Sequence, residues 1–346
     1  MKQKNLSPGQ LQLLVWCGLL APAAESLPAL LIPEAGQNAW FSVLLGGLLA
    51  LVLGRLLRSS WDWGDPAGLL LTHMGRGIGT VLLTIYIVWI QLLLTLRLEL
   101  CAQRLLTAGE RDGSHGFFLL VLTLLLLRAA HTPGPGFARA GQLFFAALAG
   151  AAVLVLLLAL PSARLRRLEP VCLPPLSSVL TAAGLLGWAF PAVFLPTEEA
   201  GKGWRSRRDL LMAGLLALAQ GIILANLGPG LASRAAVPFF TLAKSVGVEG
   251  AFQRGESAIA ALWIFSDLVL AWLLARAQRR LLERLTHREE RLSPALILCA
   301  GLWPLLGLPG LEAAEKLVPA GNLLLGLLLP FLVRWTAGLC EVGRSP

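Results

Sequence analysis

Two carboxylates stand where a lipid-embedded chain is expected to avoid charge. Glu25 lies inside the apolar stretch Leu11 to Pro33, and Asp267 lies inside the stretch from about Ser257 to Leu274. A charged side chain at membrane depth costs at least about 2.5 kcal/mol, so it points to a ligand, an ion or an internal partner. Glu25 is suited to accept hydrogen bonds from an amine or to coordinate a cation; alternatively, its carboxylate caps backbone N–H groups freed nearby. For Asp267 the choice is between a ligand or proton contact and an interhelical hydrogen bond or ion pair with an arginine. Glu25 and Asp267 are therefore the candidates for ion or proton coupling.

The surroundings of Glu25 sharpen this reading. Pro22, Ser26 and Pro28 flank it, and each proline removes a backbone donor and clashes with the carbonyl four residues back. The helical ladder is expected to fail between about Ala21 and Pro28. Inside a membrane such a break survives where it is buried in protein or lines a wet cavity. A second interrupted stretch, about Leu176 to Leu195, holds Gly184, Gly187, Pro191 and, just beyond it, Pro196. Its run Gly187-Trp188-Ala189-Phe190-Pro191 offers free carbonyls, a close backbone approach and two aromatic walls. Tyr86, the only tyrosine, and Gln91 lie on another apolar stretch, where they line the cavity or hydrogen-bond a neighbouring helix. The candidate ligand site is thus Pro22, Ala24, Glu25, Ser26, Tyr86, Gly187, Trp188, Phe190 and Pro191.

The elements that must position these groups follow from composition. Of 346 residues, 56% are hydrophobic and 14% charged, with a mean hydropathy of +0.71; ordinary soluble domains carry about 25% charge. The expected fold is all-α and integral to the membrane. About ten apolar runs are long enough to be spans, and they form a single polytopic domain over 1–346. The first span is expected to remain in the protein, because its apolar run is too long for a cleaved leader.

The first and sixth spans are the proline-interrupted ones, at matching places in two halves (about 10–160 and 174–338). This pattern points to a five-plus-five inverted repeat with the ligand held between broken helices one and six. The segment Ala235 to Gly250 is too short and too charged to span, and it reads as an interfacial helix. Arg97, Glu99, Gln103 and Arg104, in the second half of the third span, are expected to project beyond the hydrocarbon.

Most of the Lys and Arg fall on one side of this topology, including Arg55, Arg58, the cluster Lys202 to Arg208 and the run Arg276 to Arg291. Both termini are therefore expected in the cytoplasm. The net charge of +9 speaks to topology and contact with anionic membrane lipid, not to nucleic acid. The five cysteines and four histidines have no metal or redox spacing; the cysteines read as small buried hydrophobes. No metal or cofactor is expected. Nothing resembles a Ser-His-Asp set, a phosphate loop or a paired-carboxylate hydrolase, so the chain is not expected to be an enzyme.

Several short motifs, in order, resemble those of the spore germination permeases, the B subunits of nutrient germinant receptors. That family belongs to the amino acid, polyamine and organocation transporter superfamily. The motifs are Leu6-Ser-Pro-Gly-Gln10-Leu, then Leu31-Ile-Pro-Glu-Ala-Gly36-Gln-Asn-Ala-Trp40, then Val237-Pro238-Phe-Phe-Thr-Leu242, and finally Phe252-Gln-Arg254-Gly-Glu256 with Leu262-Trp263. Two departures stand out. Gln37 and Asn38 replace a charged pair, and span six reads Trp188-Ala-Phe190-Pro191-Ala192 where the family tends to show Phe-x-Phe-Gly-Glu.

The resemblance implies the ten-helix inverted-repeat fold and a place in the spore inner membrane beside the receptor's A and C subunits. It also implies a small germinant, most plausibly an amino acid, bound where the spans break. The alternative function is a proton- or sodium-coupled amino acid transporter, with Asp267 or Glu25 as the coupling group.

Overall fold

A computed structural model describes residues 6–60, 66–107, 114–195, 205–235, 237–245, 255–286, 288–307 and 309–330. Among them there are helices and no strand. In chain order they are α1 (Pro8–Ala35), α2 (Ala39–Ser60), α3 (Pro66–His73), α4 (Gly75–Thr107), α5 (His115–Ala130) and α6 (Gly134–Ala159). The second half holds α7 (Leu176–Leu186), α8 (Ser206–Ala232), α9 (Pro238–Ser245), α10 (Gly255–Leu285), α11 (Glu289–Leu305) and α12 (Leu311–Leu323). Five stretches are long and apolar enough to cross a membrane: Pro22–Gly54, Gly75–Leu106, Gly134–Ser162, Leu176–Phe194 and Ser206–Ala232. The protein is a membrane-embedded helical bundle.

The motif at the start of α1 has a local cause. Ser7 caps the helix: its hydroxyl accepts from the Gln10 backbone N–H at 3.3 Å, and the Gln10 side chain accepts from the Ser7 backbone N–H at 3.2 Å. Pro8 fills the first turn, where its missing N–H costs nothing.

One expectation is corrected here. α1 does not break: it runs as one α-helix through Pro22, Pro28 and Pro33 to Gly36, whose φ of 56° ends it. Each proline deletes a single hydrogen bond, and packing against neighbours holds the remaining ones. Beside the first proline, the Cys17 carbonyl accepts from Ser266 Oγ of α10 at 2.6 Å.

The other expected interruption is present in a different form. At Gly187 the chain leaves α7 and tightens into a 3-10 helix, Gly187–Phe194, across Pro191. The Gly184 carbonyl accepts from the Gly187 backbone N–H and also from Asn322 Nδ2 of α12 at 3.1 Å, and Asn322 Oδ1 accepts from Trp89 Nε1 at 3.0 Å. α9 packs against α1, α8 and α10 with Pro238, Phe239, Phe240 and Leu242 buried, so its apolar face covers the bundle. Cys17 and Cys101 are buried as expected, whereas Cys172 and Cys299 are exposed.

The helix pairs follow a pattern. α1 packs on α6 as α7 packs on α12; α4 packs on α5 as α10 packs on α11; α4 packs on α11 as α10 packs on α5. α1·α7, α2·α8, α4·α10 and α5·α11 are also in contact. Exchanging the expected first five spans for the second five carries these pairs onto one another, but the extensive α1·α10 contact has no comparable α4·α7 counterpart among the described residues.

Close approach of α7 to α12 depends on Gly184, where a Cβ would collide with the Pro319 carbonyl, a backbone atom that has little room to move. Gly184→Ala is expected to destabilise the protein by about 1–3 kcal/mol in a detergent-solubilised unfolding assay. Gly150 of α6 has open space around it, so Gly150→Ala is expected to leave stability unchanged or raise it by up to about 1 kcal/mol.

Candidate functional site

The two carboxylates singled out by sequence meet each other through two arginines. Glu25 comes from α1, Asp267 from α10, and Arg97 and Arg104 from α4. Positions 97 and 104 are two turns apart, so both guanidiniums leave one face of α4. All four residues are buried: Arg97 is 0% exposed, Asp267 3%, Arg104 4% and Glu25 9%. Arg97 and Arg104, expected to project beyond the hydrocarbon, are turned into the bundle. Glu99 and Gln103 lie on another face of the same turns of α4, where Gln103 Nε2 donates to Glu99 Oε1 at 2.6 Å.

Each arginine bridges both carboxylates. Arg97 Nη2 donates to Glu25 Oε2 at 2.9 Å, and Arg97 Nε lies 2.8 Å from Asp267 Oδ1 as an ion pair without hydrogen-bond geometry. Arg104 Nη1 donates to Asp267 Oδ2 at 2.5 Å, and Arg104 Nη2 donates to Glu25 Oε2. Cys101, between the arginines on α4, is buried beside them. Two positive and two negative charges cancel, so the quartet is neutral. Neutrality is what permits its burial, because an unpaired ion in this setting would cost several kcal/mol.

Trp188 reaches the quartet from the 3-10 segment: its ring lies 5.6 Å from Arg97 Cζ, a cation–π contact. Trp188 is completely buried and its Nε1–H has no hydrogen-bond partner. Arg97 Nη1 and Ser26 Oγ are likewise buried without one. All three are donors, and all three belong to residues in or next to the quartet.

The other candidates divide among different surroundings. Pro22 and Ala24 are buried on α1, and Pro191 is buried in the 3-10 segment. Tyr86 donates its hydroxyl to the Leu325 carbonyl at 2.6 Å and packs edge-on against Phe194, so it holds α4 to the C-terminal helices. Gln91 likewise donates to the Leu296 carbonyl at 3.0 Å. Gly187 and Phe190 line an apolar cavity between α1, α2, α7 and α8, to which Trp188 does not contribute. The two aromatic residues of span six therefore serve two places, not two walls of one pocket.

Neither a protein-family model nor a curated protein matches this chain. The argument consequently rests on the residues themselves. Two of the motifs named above do touch: Phe239 and Phe240 lie 4.9 and 5.5 Å from Trp263, ring to ring. Arg254 lies outside the described residues, as does the side chain of Glu256.

Sequence reasoning missed Arg97 and Arg104 as site residues. The signal was present as two arginines seven residues apart, with two carboxylates in other spans to match their charge.

A single substitution in the quartet strands a buried charge. Arg97→Gln is expected to cost about 3–5 kcal/mol of stability. Glu25→Gln combined with Arg97→Gln leaves the neutral Arg104–Asp267 pair. Unfolding of the two single variants and the double variant is expected to give a coupling of about 1–3 kcal/mol; additive losses would contradict the arrangement.

Proposed function

We propose that the protein is the membrane subunit of a nutrient germinant receptor, which binds a small germinant such as an amino acid and triggers spore germination with its A and C partner subunits. In this reading the chain has ten spans in a five-plus-five inverted repeat, lies in the spore inner membrane and keeps both termini in the cytoplasm. The ordered motifs support it, as does the partial correspondence of helix pairs between the two halves.

The observation that carries the ligand class is a set of buried donors without partners: two at the Arg97–Trp188 contact and one on Ser26, the residue after Glu25. Trp188 Nε1, Arg97 Nη1 and Ser26 Oγ are buried donors in need of an acceptor, and a carboxylate supplies two oxygens with several lone pairs. The quartet around them is neutral. A ligand with net charge would upset that balance, whereas a zwitterion adds none. Its carboxylate would take the donors around Arg97 and its ammonium would turn to Glu25, leaving Asp267 with Arg104. Arg97 would then exchange one partner for another, and α1, α4 and α10 would be free to resettle. A ligand that prefers the resettled arrangement biases the protein toward it, and the partner subunits read the shift. Both carboxylates are already held by two guanidiniums, which disfavours either as a carrier of a transported cation.

The test is thermal unfolding of the purified protein against a panel of single amino acids. One of them is expected to raise the melting temperature by mass action, worth about 2.7 kcal/mol at a hundredfold excess over its Kd. Trp188→Phe keeps a ring over Arg97 but removes the N–H, and Ser26→Ala removes the hydroxyl; each is expected to weaken binding about tenfold. Accumulation of labelled amino acid in proteoliposomes under a proton or sodium gradient would contradict the receptor reading and favour the transporter.

A further inference from the structure

An apolar cavity lies away from the quartet, between α1, α2, α7 with its 3-10 extension, and α8. Its volume is about 220 Å³ and its walls are almost wholly apolar. Gly47, Ala50 and Gly54 of α2, with Ala183 and Ala213, leave the space by having little or no side chain. The cavity is partly open, and two of the helices that wall it also carry exposed apolar residues, Val52 of α2 and Leu211 and Leu215 of α8. Such surfaces face hydrocarbon, so the cavity sits behind helices that border the bilayer.

The polar end of the cavity is built by α1 and α8. Asp209 lines it, and its Oδ1 accepts from Gln12 Nε2 at 2.9 Å and from Trp16 Nε1 at 3.1 Å. Gln12 also donates to the Arg205 carbonyl at 2.9 Å and accepts from the Arg205 backbone N–H at 3.3 Å. These bonds fix the first turn of α8 at the cavity's end. Arg205, Arg207 and Arg208 are all exposed there, three cations against one carboxylate that is already engaged.

We propose that this cavity seats one acyl chain of an anionic phospholipid, whose phosphate is held by Arg205, Arg207 and Arg208. An apolar void loses dispersion contacts along its whole lining, and an acyl chain from the adjoining leaflet restores them. Hydrocarbon gains little by moving from bilayer to an equally apolar cavity, so the chain confers fit and the arginines confer headgroup selectivity. In the topology of the proposed function these arginines are cytoplasmic, where anionic lipid is attracted; the lipid site itself does not depend on that function.

The experiment uses the full chain in a neutral detergent with phosphatidylglycerol or phosphatidylcholine added, followed by native mass spectrometry of retained lipid and by thermal unfolding. Phosphatidylglycerol is expected to be retained and to raise the melting temperature where phosphatidylcholine does neither. Arg207→Gln with Arg208→Gln is expected to weaken that retention about thirtyfold, and Ala50→Trp, which fills the cavity, to abolish it. Arg207 and Arg208 are exposed, so their double variant decides the headgroup contact even if Ala50→Trp fails to fold. Equal retention of the two lipids, undiminished retention by Ala50→Trp, or the same stabilisation from inorganic phosphate alone would overturn the proposal.

Discussion

A buried ion that has left water must find its counter-ions inside the protein, and this bundle is arranged around that requirement. Four charges from α1, α4 and α10 are nearly inaccessible to solvent, and none is tolerable alone. Because each arginine bridges both carboxylates, the three helices are locked in depth and rotation together. A slide of one turn, about 5.4 Å, would separate all four pairs if α4 moved and both pairs of the moving carboxylate if α1 or α10 did. Apolar packing by itself does not impose such a register, since leucine-rich faces accept many offsets.

The 3-10 segment Gly187–Phe194 lies between the quartet and the apolar cavity. Trp188 faces Arg97, while Gly187 and Phe190 line the cavity. This short stretch of backbone therefore touches both the polar centre and the cavity. Asn322 secures its beginning by taking the Gly184 carbonyl, and α12 approaches closely there because Gly184 has no side chain. A shift at Arg97 has a direct packing route to the cavity wall through this segment.

Much of the architecture was legible in the chain. Apolar runs located the helices, Gly187 and Pro191 marked the change of helix type, and the expense of Glu25 and Asp267 marked the site. Its closure by arginine was less accessible. Glu25 and Arg97 are 72 residues apart and Arg104 and Asp267 163 apart, so no local pattern joins them. Hydropathy also counts an arginine near a span end as a residue leaving the membrane, although here it enters the protein interior.

Pro22 and Pro28 misled for a related reason: proline's local penalty is one lost bond and a clash, and tertiary packing of α1 outweighs it. Cys172, in the connection before α7, and Cys299, on α11, show the same limit, since residue type alone does not say which positions meet neighbours.

The central claim is that the quartet holds α1, α4 and α10 as one unit. Hydrogen–deuterium exchange of the purified protein, parent against Asp267→Asn, tests it most directly. If the account holds, amide exchange rises together in all three helices around residues 25, 97 and 267. A rise confined to α10 would contradict it.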